Sequence, residues 1–198
     1  MTAETYLFID GTNLYASQYK LFGPSEYLSF PDFLKEIESK LHIAFDQIYF
    51  YASYSPRSKH PTNKEKLYLK NEFYFYRSVK SVQKLIFFKG YRSPTSGKEK
   101  EVDVKLAVDI VDFAHFKKYQ KMFLLTGDAD FMEALKIPSR LGLQTGVLCM
   151  ENKIMFKALL FYKMFVLKFT DNIITFNKIR KKPIFLDLDK TRVKKKCT

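Results

Sequence analysis

The amino-acid sequence predicts an α/β protein, a three-layer α/β/α sandwich with a mainly parallel central sheet. Short apolar runs of strand length alternate with longer segments of helical periodicity, and this alternation is typical of parallel strands joined by crossover helices. The apolar share of 46% over 198 residues is enough for one substantial core. We therefore expect one principal domain with one principal site.

The predicted elements alternate along the chain. Six short apolar runs are interpreted as buried strands: Tyr6–Ile9, Gln47–Tyr51, Leu85–Phe88, Lys121–Thr126, Gln144–Met150 and Phe165–Phe169. Five segments between them have helix-like patterning: Phe30–Leu41, Asn63–Gln83, Val102–Phe116, Phe131–Leu141 and Lys153–Tyr162. The stretch Gln18–Ser29 is interpreted as a long loop before the first helix.

The net charge of +13 favours a polyanionic partner, either nucleic acid or an acidic membrane surface. Residues 178–198 carry nine Lys or Arg and only two Asp, so we divide the chain into a domain of residues 1–177 and a basic C-terminal tail of residues 178–198. No apolar stretch approaches the roughly 18 residues of a spanning helix, and two cysteines, Cys149 and Cys197, suggest no disulfide framework. These features predict a soluble cytoplasmic protein without a membrane partner, and a homo-oligomer is compatible with them.

Acidic side chains follow two of the predicted strands. Asp10 comes directly after the first strand, with Asn13 one turn further on, and Asp128 and Asp130 follow the fourth strand in a glycine turn. Turn formation explains Asp10 and Asn13 equally well, and Asp130 with Glu133 fits a helix capping pair. Asp128 has no capping role in that interpretation, and two acids so close repel each other unless a cation joins them.

A third acidic candidate opens the predicted helix Val102–Phe116. Asp103 lies in its first turn, where a carboxylate can simply complement the helix dipole. At about 100° per residue, Asp109 points roughly 120° away from Asp103, and its spacing from Lys105 suits an i,i+4 ion pair. We expect Asp103 at the site and Asp109 in a structural or supporting role.

Three separate segments thus direct carboxylates toward one edge of a parallel sheet. Oxygen ligands of this kind suit Mg²⁺, which usually retains several waters. A divalent ion held there can activate water against a phosphodiester, so hydrolysis needs no side-chain nucleophile.

In this order and at these separations, FIDGTN, EVDVKLAVD and LLTGDADF resemble the NYN family, the branch of PIN-like nucleases that includes LabA-like proteins, over about residues 5–171. The resemblance implies a PIN-like sandwich that cleaves RNA at a Mg²⁺ or Mn²⁺ site formed by Asp10, Asp103, Asp128 and Asp130. It also implies that Asn13 assists ligand or phosphate geometry and that Thr126 orients a water or a phosphate.

Three other functions compete with a nuclease. The main alternative is a non-catalytic RNA-binding or regulatory module with the same fold. FIDGT also resembles haloacid dehalogenase-like phosphatases, but Phe8 stands where their nucleophilic aspartate belongs. A nucleotide-binding enzyme is disfavoured because neither G-x-G-x-x-G nor a P-loop motif is present.

Basic residues cluster in two loops after predicted strands, Ser53–Pro61 and Tyr91–Lys100. They are candidate phosphate contacts at the same sheet edge, although solvated loops explain them equally well, and the tail can either grip RNA or remain a solvated basic end. The candidate RNA-binding residues are Arg57, Lys59, His60, Arg92, Lys98, Arg180, Lys181 and Lys182. Aromatics interleaved with lysine between Leu67 and Tyr76 have helical spacing and are interpreted as core packing.

Overall fold

The computed structural model describes residues 4–92, 99–150, 164–168, 181–185 and 188–194. Its helices and strands, in chain order, are β1 (Thr5–Asp10), α1 (Gly11–Phe22), β2 (Glu26–Leu28), α2 (Phe30–Leu41), β3 (Gln47–Ala52), α3 (Asn63–Lys80), β4 (Leu85–Lys89), β5 (Tyr91–Arg92), β6 (Glu99–Lys100), α4 (Val102–His115), β7 (Lys121–Leu125), α5 (Met132–Arg140), β8 (Gln144–Met150), β9 (Met164–Lys168), β10 (Lys181–Phe185), α6 (Leu188–Thr191) and β11 (Arg192–Lys194).

Seven of the described strands form one sheet in the order β10-β9-β8-β7-β1-β3-β4. Every neighbouring pair in it is parallel. The chain adds β3 and β4 on one side of β1 and the later strands on the other, so the winding direction reverses beside β1. In open parallel sheets, ligands bind in the crevice at such a reversal, outside the carboxyl ends of the strands.

Helices cover both faces of this sheet. Leu7 and Ile9 of β1 join a core that includes Leu14 of α1, Ile37 of α2 and Phe75 of α3. The alternate residue Phe8 joins a second core with Leu106 of α4 and Leu135 of α5. Because successive strand side chains point to opposite faces, the apolar runs of the sequence supply both cores. The predicted three-layer α/β/α sandwich is confirmed.

All six predicted strands are present, each within about one residue of its predicted ends. The strand Gln144–Met150 and the helix Phe30–Leu41 match residue for residue. The predicted helix Asn63–Gln83 ends earlier, at Lys80. The predicted helix Lys153–Tyr162 lies outside the described residues.

The predicted loop Gln18–Ser29 is wrong, because helix α1 begins directly at the end of β1 and continues to Phe22. Gln18 is fully buried, where its Nε2 donates to Asn71 Oδ1 at 3.1 Å and its Oε1 accepts from the Leu28 amide at 3.1 Å. Gln18, a polar residue at a position predicted to be a loop, is therefore buried in the core. The helix stops at Gly23, whose φ of 69° is a conformation that favours glycine.

Part of the predicted basic tail is built into the fold. Strand β10 extends the sheet beside β9, and β11 pairs antiparallel with β2. The Ser29 amide donates to the Thr191 carbonyl at 2.6 Å, and Arg192 pairs with Glu26 at 3.0 Å. These contacts fasten residues 188–194 to the start of α2. In the part of the chain that the structure describes, no helix has the length and apolarity to cross a bilayer.

Candidate active site

Asp10 ends strand β1, and both of its carboxylate oxygens accept hydrogen bonds. Its Oδ1 accepts from the Asn13 amide at 2.9 Å, which caps helix α1, and its Oδ2 accepts from the Thr126 hydroxyl at 3.0 Å. Only 5% of the residue is exposed. The positive end of the α1 dipole favours a negative carboxylate at this position. Asp10 therefore shapes the turn at the start of α1 and also contacts Thr126 across the sheet edge.

The turn after β7 is tied to the turn after β1. The Thr126 hydroxyl, which donates to Asp10, also accepts from the Asp128 amide at 3.0 Å. The Gly127 amide donates to Asn13 Oδ1 at 3.0 Å. Because β1 and β7 are adjacent parallel strands, these bonds connect the two turns at the sheet edge where the winding direction reverses. Two of the predicted segments are thus brought together.

Gly11 explains why the first turn can be so tight. A Cβ added there would lie 2.1 Å from Cε1 of Phe50, which is far inside van der Waals contact. The side chain of Phe50 belongs to the core beneath α1. A glycine at this position therefore lets the helix begin directly after Asp10.

Asp128 and Asp130 differ from the sequence interpretation. The Asp128 Oδ1 accepts from the Asp130 amide at 3.0 Å, so Asp128 shapes the turn before α5. The alternative explanation of Asp130 and Glu133 as a helix capping pair is wrong, because the capping position is Phe131 without a side-chain hydrogen bond, and Glu133 pairs with Lys136. Asp130 is exposed and Asp128 is half-buried.

Asp103 and Asp109 separate as their helical spacing predicts. Asp103 is exposed in the first turn of α4. The residue before this helix is Glu101, whose φ of 73° is unusual for a non-glycine residue. Asp109 is buried, pairs with Lys105 at 2.5 Å and accepts from the Tyr51 hydroxyl at 2.7 Å. Burial, with the hydrogen bond to Asp109, raises the pKa of Tyr51. The expected Lys105–Asp109 ion pair is present within α4, and the hydrogen bond from Tyr51 to Asp109 ties α4 to β3.

The donors at this edge are oxygens. Among the described residues, no three His, Cys, Asp or Glu side chains form a group that could hold a metal ion, so the complete four-carboxylate cluster stays a prediction. Mg²⁺ is commonly held by one or two carboxylates, with waters and substrate phosphate completing the shell. Asp10 and Asp128 supply carboxylates of this kind from the connected turns after β1 and β7.

Ser53 is a further polar group at this edge that sequence reasoning did not select. It follows the last residue of β3, two positions after Tyr51, which is paired in register with Asp10. Only 2% of Ser53 is exposed, and its Oγ has no hydrogen-bond partner among the described residues. A buried hydroxyl without a partner is costly, and a water or phosphate oxygen at this edge would satisfy it. The sequence signal for Ser53 was its position at the start of the predicted loop Ser53–Pro61, two residues after the predicted strand Gln47–Tyr51.

The candidate RNA-binding residues are described only in part. Arg57, Lys59 and His60 are exposed in the loop after β3. That loop is anchored by Ser55, whose amide and hydroxyl both donate to the buried carboxylate of Glu72. The backbones of Arg92, Lys181 and Lys182 lie in β5 and β10, while Lys98 and Arg180 lie outside the described residues.

The comparisons with known proteins agree with this architecture. A family model described as the NYN domain matches residues 4–163. A crystal structure of a protein of unknown function from Vibrio parahaemolyticus is similar at a TM-score of 0.58 and 17% sequence identity, over 83% of this chain and 91% of that one. At that identity the likeness shows the fold alone. No curated protein matches the sequence.

Proposed function

Because this chain belongs to the NYN domain family, we propose that it is a metal-dependent ribonuclease that hydrolyses RNA phosphodiester bonds at the carboxyl edge of its sheet. The observation that carries the proposal is the junction of Asp10 with the Thr126–Asp128 turn at the ends of adjacent parallel strands. This junction lies where open parallel sheets bind their ligands. We also propose that the protein acts in the cytoplasm. Its membership of the LabA-like branch stays a prediction.

Mg²⁺ or Mn²⁺ would be held by Asp10 and Asp128, with Asp103 and Asp130 as the further carboxylates. Bound there, the ion would supply an activated water and stabilise the charge on the leaving oxygen. A hard divalent cation is favoured because every candidate ligand is an oxygen.

The chain's own residues prepare this site before any substrate arrives. The Thr126 hydroxyl and the Asn13 amide fix both oxygens of Asp10, so its orientation costs little entropy when a ligand binds. Asn13 uses its side-chain oxygen to hold the Gly127 amide and thereby the turn that carries Asp128. We assign Thr126 and Asn13 to this positioning task, and Asp109 to fastening α4 through Tyr51.

RNA would reach the site along basic surface. Arg57, Lys59 and His60 are exposed beside the carboxyl end of β3, and phosphate contacts of this kind position a nucleic acid without reading its sequence. Arg92, Lys98, Arg180, Lys181 and Lys182 are proposed to add to them.

The test is cleavage of labelled single-stranded and structured RNA by wild type and by Asp10→Asn, with Mg²⁺, with Mn²⁺ and with chelator. Asparagine keeps an oxygen that can cap α1 but removes the negative charge, so cleavage should fall by orders of magnitude. Asp112→Asn is the matched control, because it makes the same change at an exposed position in the last part of α4. Equal cleavage by Asp10→Asn and wild type would refute the catalytic assignment.

A non-catalytic RNA-binding module is the alternative, and two observations favour it. Both oxygens of Asp10 already accept protein hydrogen bonds, and no third acid joins a metal-binding group among the described residues. Salt-sensitive RNA binding without metal-dependent cleavage by the wild type would establish this alternative.

A further inference from the structure

The exposed face of helix α3 carries a row of cations around one aromatic ring. Lys66, Lys70, Phe73 and Arg77 follow one another at intervals of four, three and four residues and are all exposed. Since such spacing keeps residues on one face of a helix, they form a single stripe, which we call the α3 stripe. The opposite face, with Phe75, Tyr76 and Val79, enters the core.

The interpretation of the run Leu67–Tyr76 as core packing is confirmed for Phe75 and Tyr76 but is wrong for Phe73. Phe75 and Tyr76 are buried, but Phe73 is 56% exposed and Leu67 is 48% exposed. Exposing a large ring costs favourable apolar burial, and the fold gains no core contact in return. A ring between cations is instead suited to stack on a base whose neighbouring phosphates the cations hold.

The charge of the stripe is available to a partner. Lys66, Lys70 and Arg77 make no ion pair with an acid among the described residues. The two acids of α3 are engaged elsewhere: Glu65 closes the helix cap with Thr62, and Glu72 faces inward to Ser55. The exposed face is therefore positive along its length.

We propose that the α3 stripe binds single-stranded RNA and guides it toward the carboxyl edge of the sheet. The guidance toward that edge rests on the proposed function, whereas the binding of RNA does not. Helix α3 begins after the loop that carries Arg57 and Lys59, so the chain leads from that basic loop directly into the end of the stripe at Lys66. From Lys66 to Arg77 the helix rises about 17 Å at 1.5 Å per residue. At about 3.4 Å per phosphate in a stacked strand, the stripe accommodates about five phosphates.

An acidic membrane surface is the competing partner for a basic stripe. Insertion into a membrane needs a continuous apolar face beneath the cations, whereas here Phe73 and Leu67 are separated by lysine on the same exposed surface. One ring among spaced cations is better suited to the bases and phosphates of a nucleic acid, so RNA is the proposed partner of the stripe.

The experiment measures RNA affinity in chelator, on the Asp10→Asn background, so that cleavage does not interfere. Phe73→Ala should weaken binding of a labelled single-stranded RNA by about 5- to 150-fold, the range expected for the loss of one base stack, while Phe73→Trp should retain it. Lys66→Ala with Lys70→Ala should lower the salt slope by about 1.4 log units, at about 0.7 for each phosphate contact. All these positions are exposed, so folding should be unaffected.

Arg77→Ala has a matched control in Arg140→Ala. Both are exposed arginines in the last turn of a helix, on α3 and on α5 of the opposite layer. Arg77→Ala should weaken binding severalfold and Arg140→Ala should not. Equal effects of the two, or unchanged affinity in Phe73→Ala, would overturn the proposal, as would a stripe-dependent affinity for phosphatidylserine vesicles without affinity for RNA.

The two proposals fail separately. Metal-dependent cleavage by wild type with α3 variants that bind RNA normally would leave the nuclease and remove the α3 stripe. Stripe-dependent binding without any cleavage would keep the stripe and remove the nuclease.

Discussion

Replacing Thr126 by valine tests the junction on which the site depends. The side chain is 2% exposed, and its hydroxyl joins Asp10 Oδ2 and the Asp128 amide with two hydrogen bonds of 3.0 Å. Valine has nearly the same shape but can make neither bond. The substitution therefore removes the connection between the turns after β1 and β7 without creating a large cavity.

The structure sets the size of the expected effect. A hydrogen bond to a charged group contributes about 1.5–3 kcal/mol and a neutral one about 0.5–1.5 kcal/mol. Losing both should lower the free energy of unfolding by about 2–4 kcal/mol. With a urea m-value of about 2 kcal/mol/M, the unfolding midpoint should fall by roughly 1–2 M.

Thr126→Ser is the control, because it keeps the hydroxyl and removes one methyl group, which costs about 0.8 kcal/mol. Urea unfolding and RNA cleavage should both separate the two variants. Thr126→Val should lose most cleavage even in conditions where it is fully folded, while Thr126→Ser should keep it. Equal destabilisation by serine and valine would refute the role of the hydroxyl.

Three further outcomes are expected. Millimolar Mg²⁺ or Mn²⁺ should raise the melting temperature of wild type, because a ligand at a hundredfold excess over its Kd stabilises the folded state by about 2.7 kcal/mol. Asp10→Asn should reduce that shift, and an unchanged melting temperature in wild type would count against a bound cation. Tyr51→Phe should lower the free energy of unfolding by about 1.5–3 kcal/mol, because the buried carboxylate of Asp109 loses a donor at 2.7 Å, whereas Tyr91→Phe, at an exposed position, should have little effect in the same urea titration. Burial raises the pKa of Tyr15, Tyr51 and Tyr119 above the unfolded value near 10, so their contribution is complete below pH 10 and is lost above it, by up to about 1.4 kcal/mol per pH unit for each tyrosine. A smaller tyrosinate absorbance in folded Tyr15→Phe, Tyr51→Phe or Tyr119→Phe than in folded wild type at the same alkaline pH would contradict this.

Local pattern was sufficient for most of the sheet. Buried parallel strands are short apolar runs because both of their faces are covered, and β8 was therefore predicted residue for residue. Helix α2 was predicted residue for residue from its helical patterning. The position of Asp10 at a strand end was equally local. Helix α1 was missed because it begins without an intervening loop and because Gln18, a polar residue, is satisfied in the core by Asn71 and Leu28.

The α3 stripe shows the limit of helical periodicity. The sequence places Phe73, Phe75 and Tyr76 on a helix, but it does not state which side of that helix meets the sheet. The packing of α3 against the first core settles this, because it buries Phe75 and Tyr76 and leaves Phe73 exposed among cations.

The amino-acid sequence by itself determined the α/β class, the strands that end in acids and the residue types of the candidate site. Only the tertiary structure decided that Thr126 bridges Asp10 and Asp128, that Asp109 accepts a hydrogen bond from Tyr51, and that strand β11 in residues 188–194 pairs with β2. The physical reason is the distance in sequence between the residues that interact. Burial and periodicity act between residues close in sequence, whereas these contacts join segments 58 and 116 positions apart and exist only after the strands have paired.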